Sequence, residues 1–208
     1  MRKRFAVAIV SAVVLLSAAV ALAQAPAPFS ADMQMHSKSG QDMTGKFFFD
    51  HQKTRMDMNS PRGEMSTIAD IQAKKSYTLM HDQKMYMEHD LNQPRPMGRG
   101  PRMPEFKPYD PSNPCANEPD TTCKKVGTAV VNGRDTDKWE FTKDGKLQST
   151  VYIDQKLHFP IKNEMADGTV FELSNIKEGP QPASEFEVPA GYQKFDMGNM
   201  MRGMGRPD

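Results

Sequence analysis

Apolar and polar residues alternate with a period of two along much of the chain after residue 28. This spacing predicts β-strands with one buried face, because successive side chains in a strand point to opposite sides of the sheet. None of these stretches shows the i, i+3, i+4, i+7 spacing of a long helix. The predicted strands in the first half are 29–38, 41–50, 53–60, 65–72, 76–80 and 84–89.

A second group of predicted strands follows residue 124 and is divided by strong turn signals. Asn132-Gly133 is typical of a two-residue hairpin, since both positions of a type I′ turn require positive φ. Asp144-Gly145 and Asp167-Gly168 mark further turns. The strands are 125–131, 138–142, 148–154, 160–165 and 169–176, and a turn-rich bridge follows at 179–184.

About ten short strands joined by hairpins predict an all-β fold with at most minor helix content, in which the strands form one antiparallel sheet in chain order. An open sheet of this size tends to curl. We therefore expect a curved, half-barrel-like sheet with a concave face, interrupted by one long proline-rich loop.

That loop is the segment 92–124, which holds eight of the sixteen prolines. Proline lacks an N–H donor and fixes φ, so the segment predicts neither a central strand nor a helix interior. We interpret it as a long excursion between the two groups of strands, placed where it could cover the mouth of the sheet. Cys115 and Cys123 lie near its end and predict a structural disulfide, because they are neither C-x-x-C nor close to a zinc-binding histidine.

The N-terminus predicts export. Arg2-Lys3-Arg4, an apolar stretch at 5–22 and Ala21-Leu22-Ala23 form the layout of a cleaved secretory signal. The predicted organisation is a signal peptide at 1–23, a Pro/Ala leader at 24–28, a single β-domain at 29–195 and a Met/Gly/Arg tail at 196–208. We expect the mature protein in the periplasm, or secreted.

Charge removes one class of partner. Three of the 27 basic residues lie in the signal, which leaves 24 against 26 acidic residues, and this balance does not favour nucleic acid as a partner. Four basic residues of the proline-rich segment fit an ordinary solvated loop, and a weak peripheral contact with anionic lipid headgroups is the alternative. They are Arg95, Arg99, Arg102 and Lys107.

Three Met-x-Met triplets are the main candidate for binding chemistry. Methionine is unbranched and polarizable, so a strand face lined by it adapts to irregular apolar ligands. An ordinary hydrophobic core is the plain alternative. By strand parity, the candidate residues of the apolar face are Met33, Met35, Phe47, Phe49, Met56, Met58, Met85, Met87, Trp139 and Phe141.

Methionine is also compatible with copper binding, because thioether sulfur is a soft ligand for Cu(I). Two sulfurs of a Met-x-Met triplet on one strand lie roughly 6.5–7 Å apart, which is unfavourable for sharing one ion. The better Cu(I) candidates are therefore in the tail, namely Met197, Met200, Met201 and Met204. No other metal and no organic cofactor is expected.

Catalytic motifs do not stand out. The five histidines are scattered, no serine lies in G-x-S-x-G, and neither H-E-x-x-H nor a phosphate-binding glycine loop occurs. The sequence therefore predicts a protein that is not an enzyme.

Seven segments resemble an uncharacterised exported bacterial domain family (DUF4412-like). They are Phe29-Ser-Ala-Asp-Met-Gln-Met35, Gly45-Lys-Phe-Phe-Phe49, Thr54-Arg-Met-Asp-Met58, Gln83-Lys-Met-Tyr-Met87, Asn132-Gly-Arg-Asp-Thr-Asp-Lys-Trp139, Asp154-Gln-Lys-Leu-His-Phe-Pro160 and Phe186-Glu-Val-Pro-Ala-Gly191. Such domains are similar to the periplasmic lipoprotein-carrier (LolA/LppX-like) superfamily. The resemblance implies a curved half-barrel around an apolar cavity, with a lipid or lipoprotein acyl chains as partners.

These observations favour a non-catalytic exported cell-envelope protein that binds a lipid, an acyl chain or another apolar ligand on the concave face of its sheet. Two alternatives stay open. One is a periplasmic Cu(I)-binding, methionine-rich protein, and the other is a structural envelope protein without a small-molecule ligand.

Overall fold

A computed structural model of the protein describes residues 26–38, 40, 42–60, 63–93, 113–116, 118 and 120–195. These residues form one twelve-stranded sheet that curves like a half-barrel without closing, which confirms the predicted fold class. The strands are β1 Phe29–His36, β2 Asp42–Asp50, β3 Lys53–Ser60, β4 Gly63–Asp70, β5 Lys75–Met80, β6 Met85–Asp90, β7 Thr121–Val131, β8 Arg134–Lys143, β9 Lys146–Asp154, β10 Pro160–Met165, β11 Val170–Glu178 and β12 Gln193–Lys194. A short 3₁₀ helix covers Ala183–Phe186.

No helix within the described ranges is both long enough and apolar enough to cross a bilayer. The predicted signal peptide, the centre of the proline-rich segment with its four basic residues, and the tail methionines all lie outside the described residues.

The order of strands across the sheet differs from their order along the chain. It runs β12-β6-β5-β4-β3-β2-β1-β11-β10-β9-β8-β7, so the predicted sheet in chain order is wrong. Two antiparallel meanders, β1–β6 and β7–β11, join where β1 pairs with β11. No short turn links β6 to β7, whereas Met33 and Met35 on β1 lie opposite the apolar Leu173 and Phe171 on β11.

Turn chemistry explains where β7 ends and β8 begins. Asn132 and Gly133 have φ of 49° and 76°, as a type I′ hairpin requires. β7 begins at Thr121, four residues before its predicted start, so the end of the proline-rich segment is already part of the sheet. β12 was not predicted because two residues are too few to show a period, and it pairs with β6 in parallel.

The main core lies where the two meanders meet, and four fully buried phenylalanine rings form its centre. The Phe159 centroid lies 5.1 Å from those of Phe29 and Phe49 and 5.6 Å from that of Phe47. Phe159 belongs to the connection between β9 and β10, whereas the other three rings come from β1 and β2. The aromatic cluster therefore attaches the second meander to the first.

Asp154 shapes the connection that carries Phe159. Its Oδ1 accepts hydrogen bonds from the backbone N–H groups of Lys156 and Leu157, at 2.9 and 2.8 Å. Arg134 of β8 donates to the same carboxylate and also to Glu178 at the end of β11. This charge-assisted network stabilises the conformation of the turn in which Leu157 and Phe159 enter the core.

The C-terminal segment 183–195 covers one face of the first meander. Phe186 packs on Ile68 and Leu79, both 0% exposed. Beyond the 3₁₀ helix, the backbone N–H groups of Gln193 and Phe195 donate to carbonyls of β6 and its preceding turn, at 2.9 and 2.7 Å. The segment is thus attached both by apolar burial and by main-chain hydrogen bonds.

Glu88 on β6 makes this attachment dependent on pH. Hydrogen bonds from Lys194 of β12 and Lys75 of β5 lower the pKa of Glu88 from 4.5 to about 2. Since the folded-state pKa is depressed, ionised Glu88 stabilises the attachment fully above about pH 4.5, and this stabilisation is lost as the pH falls through about 2. The effect is modest because both lysines are half exposed.

We therefore expect amide protection factors at Gln193 and Phe195 to fall between pH 5 and pH 2, measured by hydrogen exchange corrected for intrinsic rates. Glu88→Gln should lower these factors at pH 5 and remove their pH dependence. An identical pH profile in the wild type and in Glu88→Gln would contradict this role.

Candidate functional site

The register of the first meander places methionines from five strands in one cross-strand row. The described pairings from β1–β2 through β5–β6 carry no register shift. Residues directly opposite in antiparallel strands share a face. We define the methionine row, and with it the methionine face of the sheet, by the successive partners Met33, Gly45, Met58, Met65, Met80 and Met85.

A second row lies on the same face, two residues away from the first row on each strand. It consists of Ala31, Phe47, Met56, Thr67, Thr78 and Met87. The two rows together make the methionine face apolar from β1 to β6, with two threonines as its polar members. The methionines of β3 and β6 thus lie on a common face, as strand parity predicted for each triplet separately.

Burial decreases along this face from the centre of the sheet toward its edge. Met33 is 1% exposed and Met56 is 8% exposed, and both belong to the main core. On β4–β6, the methionines are half-buried and belong to none of the buried clusters formed by the described residues. These four residues are Met65, Met80, Met85 and Met87.

The packed side of β4–β6 is the opposite face. Ile68 and Leu79 on that face are both 0% exposed and lie beneath Phe186. The outer strands of the first meander therefore contribute their core contacts through one face and present methionines on the other. An apolar, half-buried and adaptable surface of this kind is typical of a binding site for an apolar group.

The structure divides the ten sequence-predicted residues into three groups. Met33, Met35, Phe47, Phe49 and Met56 are buried in the main core, and Met58 packs against it half-buried. Met85 and Met87 lie on β6 at the outer part of the methionine face. The last two, Trp139 and Phe141, pack in a separate cluster on the second meander.

Sequence reasoning missed two residues of the methionine face, Met65 and Met80. Each is a single methionine in its strand and not part of a Met-x-Met triplet, so local pattern gave no signal. The pairings Met58↔Met65 and Met65↔Met80 place them between the first and last triplet strands. Only the hairpin registers could have identified them.

Cys115 and Cys123 are disulfide-bonded in the structure, with their Cα atoms 5.7 Å apart. Both contact the cluster of Phe141, Val151 and Ile153, with Trp139 beside them. The bond therefore holds the end of the proline-rich segment against the second meander, consistent with the structural role expected from sequence.

A polar depression of about 400 Å³ lies beside the methionine row but mainly on the opposite face. Asp32 there bonds Lys46 and Asn175, which lower the pKa of its carboxyl, while Asp57 accepts hydrogen bonds from Arg55 and Ser66. Since these carboxylates are already paired, the depression is a solvated polar network rather than an apolar site. Its lining residues are Asp32, Met33, Gln34, Thr44, Gly45, Lys46, Asp57, Asn59 and Glu64.

One pair of side chains has the spacing of a nucleophile and its base. Ser66 Oγ lies 2.6 Å from His81 Nε2, but Ser66 is 0% exposed and its hydroxyl donates to Asp57 at 2.5 Å. The Tyr192 hydroxyl lies 2.6 Å from the other ring nitrogen, His81 Nδ1. In this conformation the chain of hydrogen bonds connects the C-terminal segment to β4 and leaves no access for a substrate.

Among the described residues, the usual polar metal ligands form no candidate site. Within the described ranges, no group of three or more His, Cys, Asp or Glu residues is arranged to hold a metal ion.

Comparison with known proteins shows the fold and the family. Among solved structures, an uncharacterized conserved protein from Thermus thermophilus is 10% identical with a TM-score of 0.56, over 82% of this chain and 90% of that one. The Pseudomonas aeruginosa MucA/MucB complex gives 14% identity and a TM-score of 0.48, over 79% of this chain and 56% of that one. A LolA superfamily protein from Nitrosomonas europaea gives 10% identity and a TM-score of 0.34, over 80% and 91%.

Sequence comparison is more specific. No curated protein matches the chain. The family model described as "Domain of unknown function (DUF4412)" matches residues 30–159, which include β2–β9, all of β1 except Phe29, and the other three rings of the aromatic cluster. Because this match covers more than half of the sequence, the protein belongs to the DUF4412 domain family.

Proposed function

We propose that this protein is a non-catalytic binding protein of the bacterial cell envelope that holds the acyl chain of a lipid on its methionine face. The observation that carries the proposal is the half-buried methionine surface of β4–β6, which lies on the face opposite the packed one and continues onto Met58 of β3. Its members are Met58, Met65, Met80, Met85 and Met87.

The size and chemistry of this surface support an acyl chain. Three inter-strand spacings separate β3 from β6, about 14 Å in all, and methionine side chains adapt to a flexible chain. Each methylene removed from water contributes about 0.8 kcal/mol. Roughly ten buried methylenes would contribute about 8 kcal/mol before the cost of association, which allows measurable binding without any polar group fixing one orientation.

Export of the protein is part of this proposal. A disulfide is typical of proteins in oxidising compartments, and Cys115 and Cys123 form one in the structure. With the predicted signal peptide at 1–23 and a mature domain at 29–195, this supports the periplasm or secretion as its location. The resemblance of the sequence motifs to lipoprotein carriers supports a lipid or a lipoprotein acyl chain as the partner.

The test is saturable binding of a hydrophobic fluorescent probe, and of an acyl chain that competes with it, to the mature protein. Met58→Glu and Met80→Glu should each weaken binding by more than tenfold, because a carboxylate covered by an apolar ligand costs several kcal/mol, of which about 1.4 kcal/mol is tenfold. Both positions are half-buried in the free protein, so we expect the variants to fold.

Leu147→Glu is the matched control, since Leu147 is an exposed apolar residue on β9, in the other meander. It should leave probe binding unchanged. Equal effects of Leu147→Glu and Met80→Glu, or the absence of saturable binding in the wild type, would contradict the proposal and favour a structural envelope protein.

A further inference from the structure

The methionine row brings sulfur atoms closer together than the Met-x-Met triplets can. Met58↔Met65, Met65↔Met80 and Met80↔Met85 are directly opposite pairs on adjacent strands. The Cβ atoms of such pairs are about 4.5–5.5 Å apart, compared with roughly 6.5–7 Å for alternate residues on one strand. Methionine has three rotatable side-chain bonds, so neighbouring thioethers can converge on one ion.

The surroundings of the row suit a soft cation. Its members from β3 to β6 are all methionine, and the adjacent row contributes Met56, Thr67, Thr78 and Met87, so this patch of the two rows holds no charged side chain. Thioether sulfur is neutral and polarizable, which selects Cu(I) over the hard ions bound by carboxylates and carbonyls. The four methionines are half-buried, partly shielded from water but open to an ion.

We propose that Met65, Met80 and Met85, which lie on three consecutive strands, form a Cu(I) site on the methionine face. The site is distinct from the tail methionines that the sequence favoured for copper, and it does not depend on acyl-chain binding. Its ligands come from β4, β5 and β6, and the hairpin registers fix their relative positions. Because thioethers do not titrate, binding by this site is independent of pH between about 5 and 8.

The experiment is an anaerobic titration of the full mature chain with Cu(I) in competition with bicinchoninate. The double variant Met65→Leu/Met80→Leu should lose roughly tenfold or more in Cu(I) affinity, because two of three soft ligands are removed. The matched control, Met200→Leu/Met201→Leu/Met204→Leu, should keep wild-type affinity. X-ray absorption of the wild-type complex should show sulfur as the scattering neighbour.

Substitution of methionine by leucine distinguishes the copper site from the proposed lipid function. Leucine lacks the sulfur ligand but differs little from methionine in volume and apolar character. Met65→Leu/Met80→Leu should lose Cu(I) but keep probe binding, whereas Met80→Glu should lose the probe. Failure of probe binding in the wild type would therefore overturn only the lipid proposal. Unchanged Cu(I) affinity in Met65→Leu/Met80→Leu, or loss confined to the tail variant, would overturn the copper site.

Discussion

Phe159→Ala is expected to lower the free energy of unfolding by about 3–5 kcal/mol, the usual cost of removing a buried aromatic ring. Phe159 is 0% exposed and its ring contacts those of Phe29, Phe47 and Phe49. With Leu157, it is also one of the two residues by which the β9–β10 connection enters the main core. The cavity would therefore weaken the junction between the two meanders as well as the cluster itself.

Chemical denaturation followed by circular dichroism measures this effect. Phe159→Leu keeps most of the buried apolar volume and should be less destabilising than Phe159→Ala. Leu147→Ala, at an exposed position on β9, should change the stability by no more than about 0.5 kcal/mol. A loss below about 1 kcal/mol for Phe159→Ala would show that the ring does not join the two meanders.

Gly45→Ala is expected to destabilise the protein by about 1–3 kcal/mol or more, although only one methyl group is added. A Cβ at Gly45 would lie 1.8 Å from the carbonyl oxygen of Asp57 on β3 and 3.2 Å from the methyl carbon of Met33. The first contact is with backbone, so β2 and β3 would have to separate. Glycine is required here by the close approach of the two strands.

Thr44→Ala is the matched control, because Thr44 is the exposed neighbour of Gly45 on the same strand. It should alter the denaturation midpoint little. Since Gly45 lies in the methionine row between Met33 and Met58, Gly45→Ala should also weaken probe binding in any fraction that folds. Wild-type stability of Gly45→Ala would contradict the close approach.

The segments that resemble the domain family are explained largely by packing. Phe47 and Phe49 of one segment lie in the aromatic cluster, and Phe159 of another completes it. Arg134 of a third segment donates to Asp154, which shapes the turn that carries Phe159. These motifs therefore identify the family through its core, which is why they predicted the fold more specifically than the function.

The sequence alone determined eleven of the twelve described strands, the hairpins and the all-β class, because alternation and turn dipeptides act over a few residues. Asn132-Gly133 and Asp144-Gly145 specify their hairpins wherever the rest of the chain lies, as their positive φ values show. The same local rule assigned each Met-x-Met triplet to one face of its strand.

Only the tertiary structure decided how these parts combine. The pairing of β1 with β11 joins residues more than a hundred positions apart, so it depends on matching apolar faces and not on a turn. That junction buries Met33 and Met35, while Met65 and Met80, nearer the sheet edge, stay half-buried. A buried and a half-buried methionine cannot be told apart by their local sequence pattern, because the burial of each is determined by which elements pack over it.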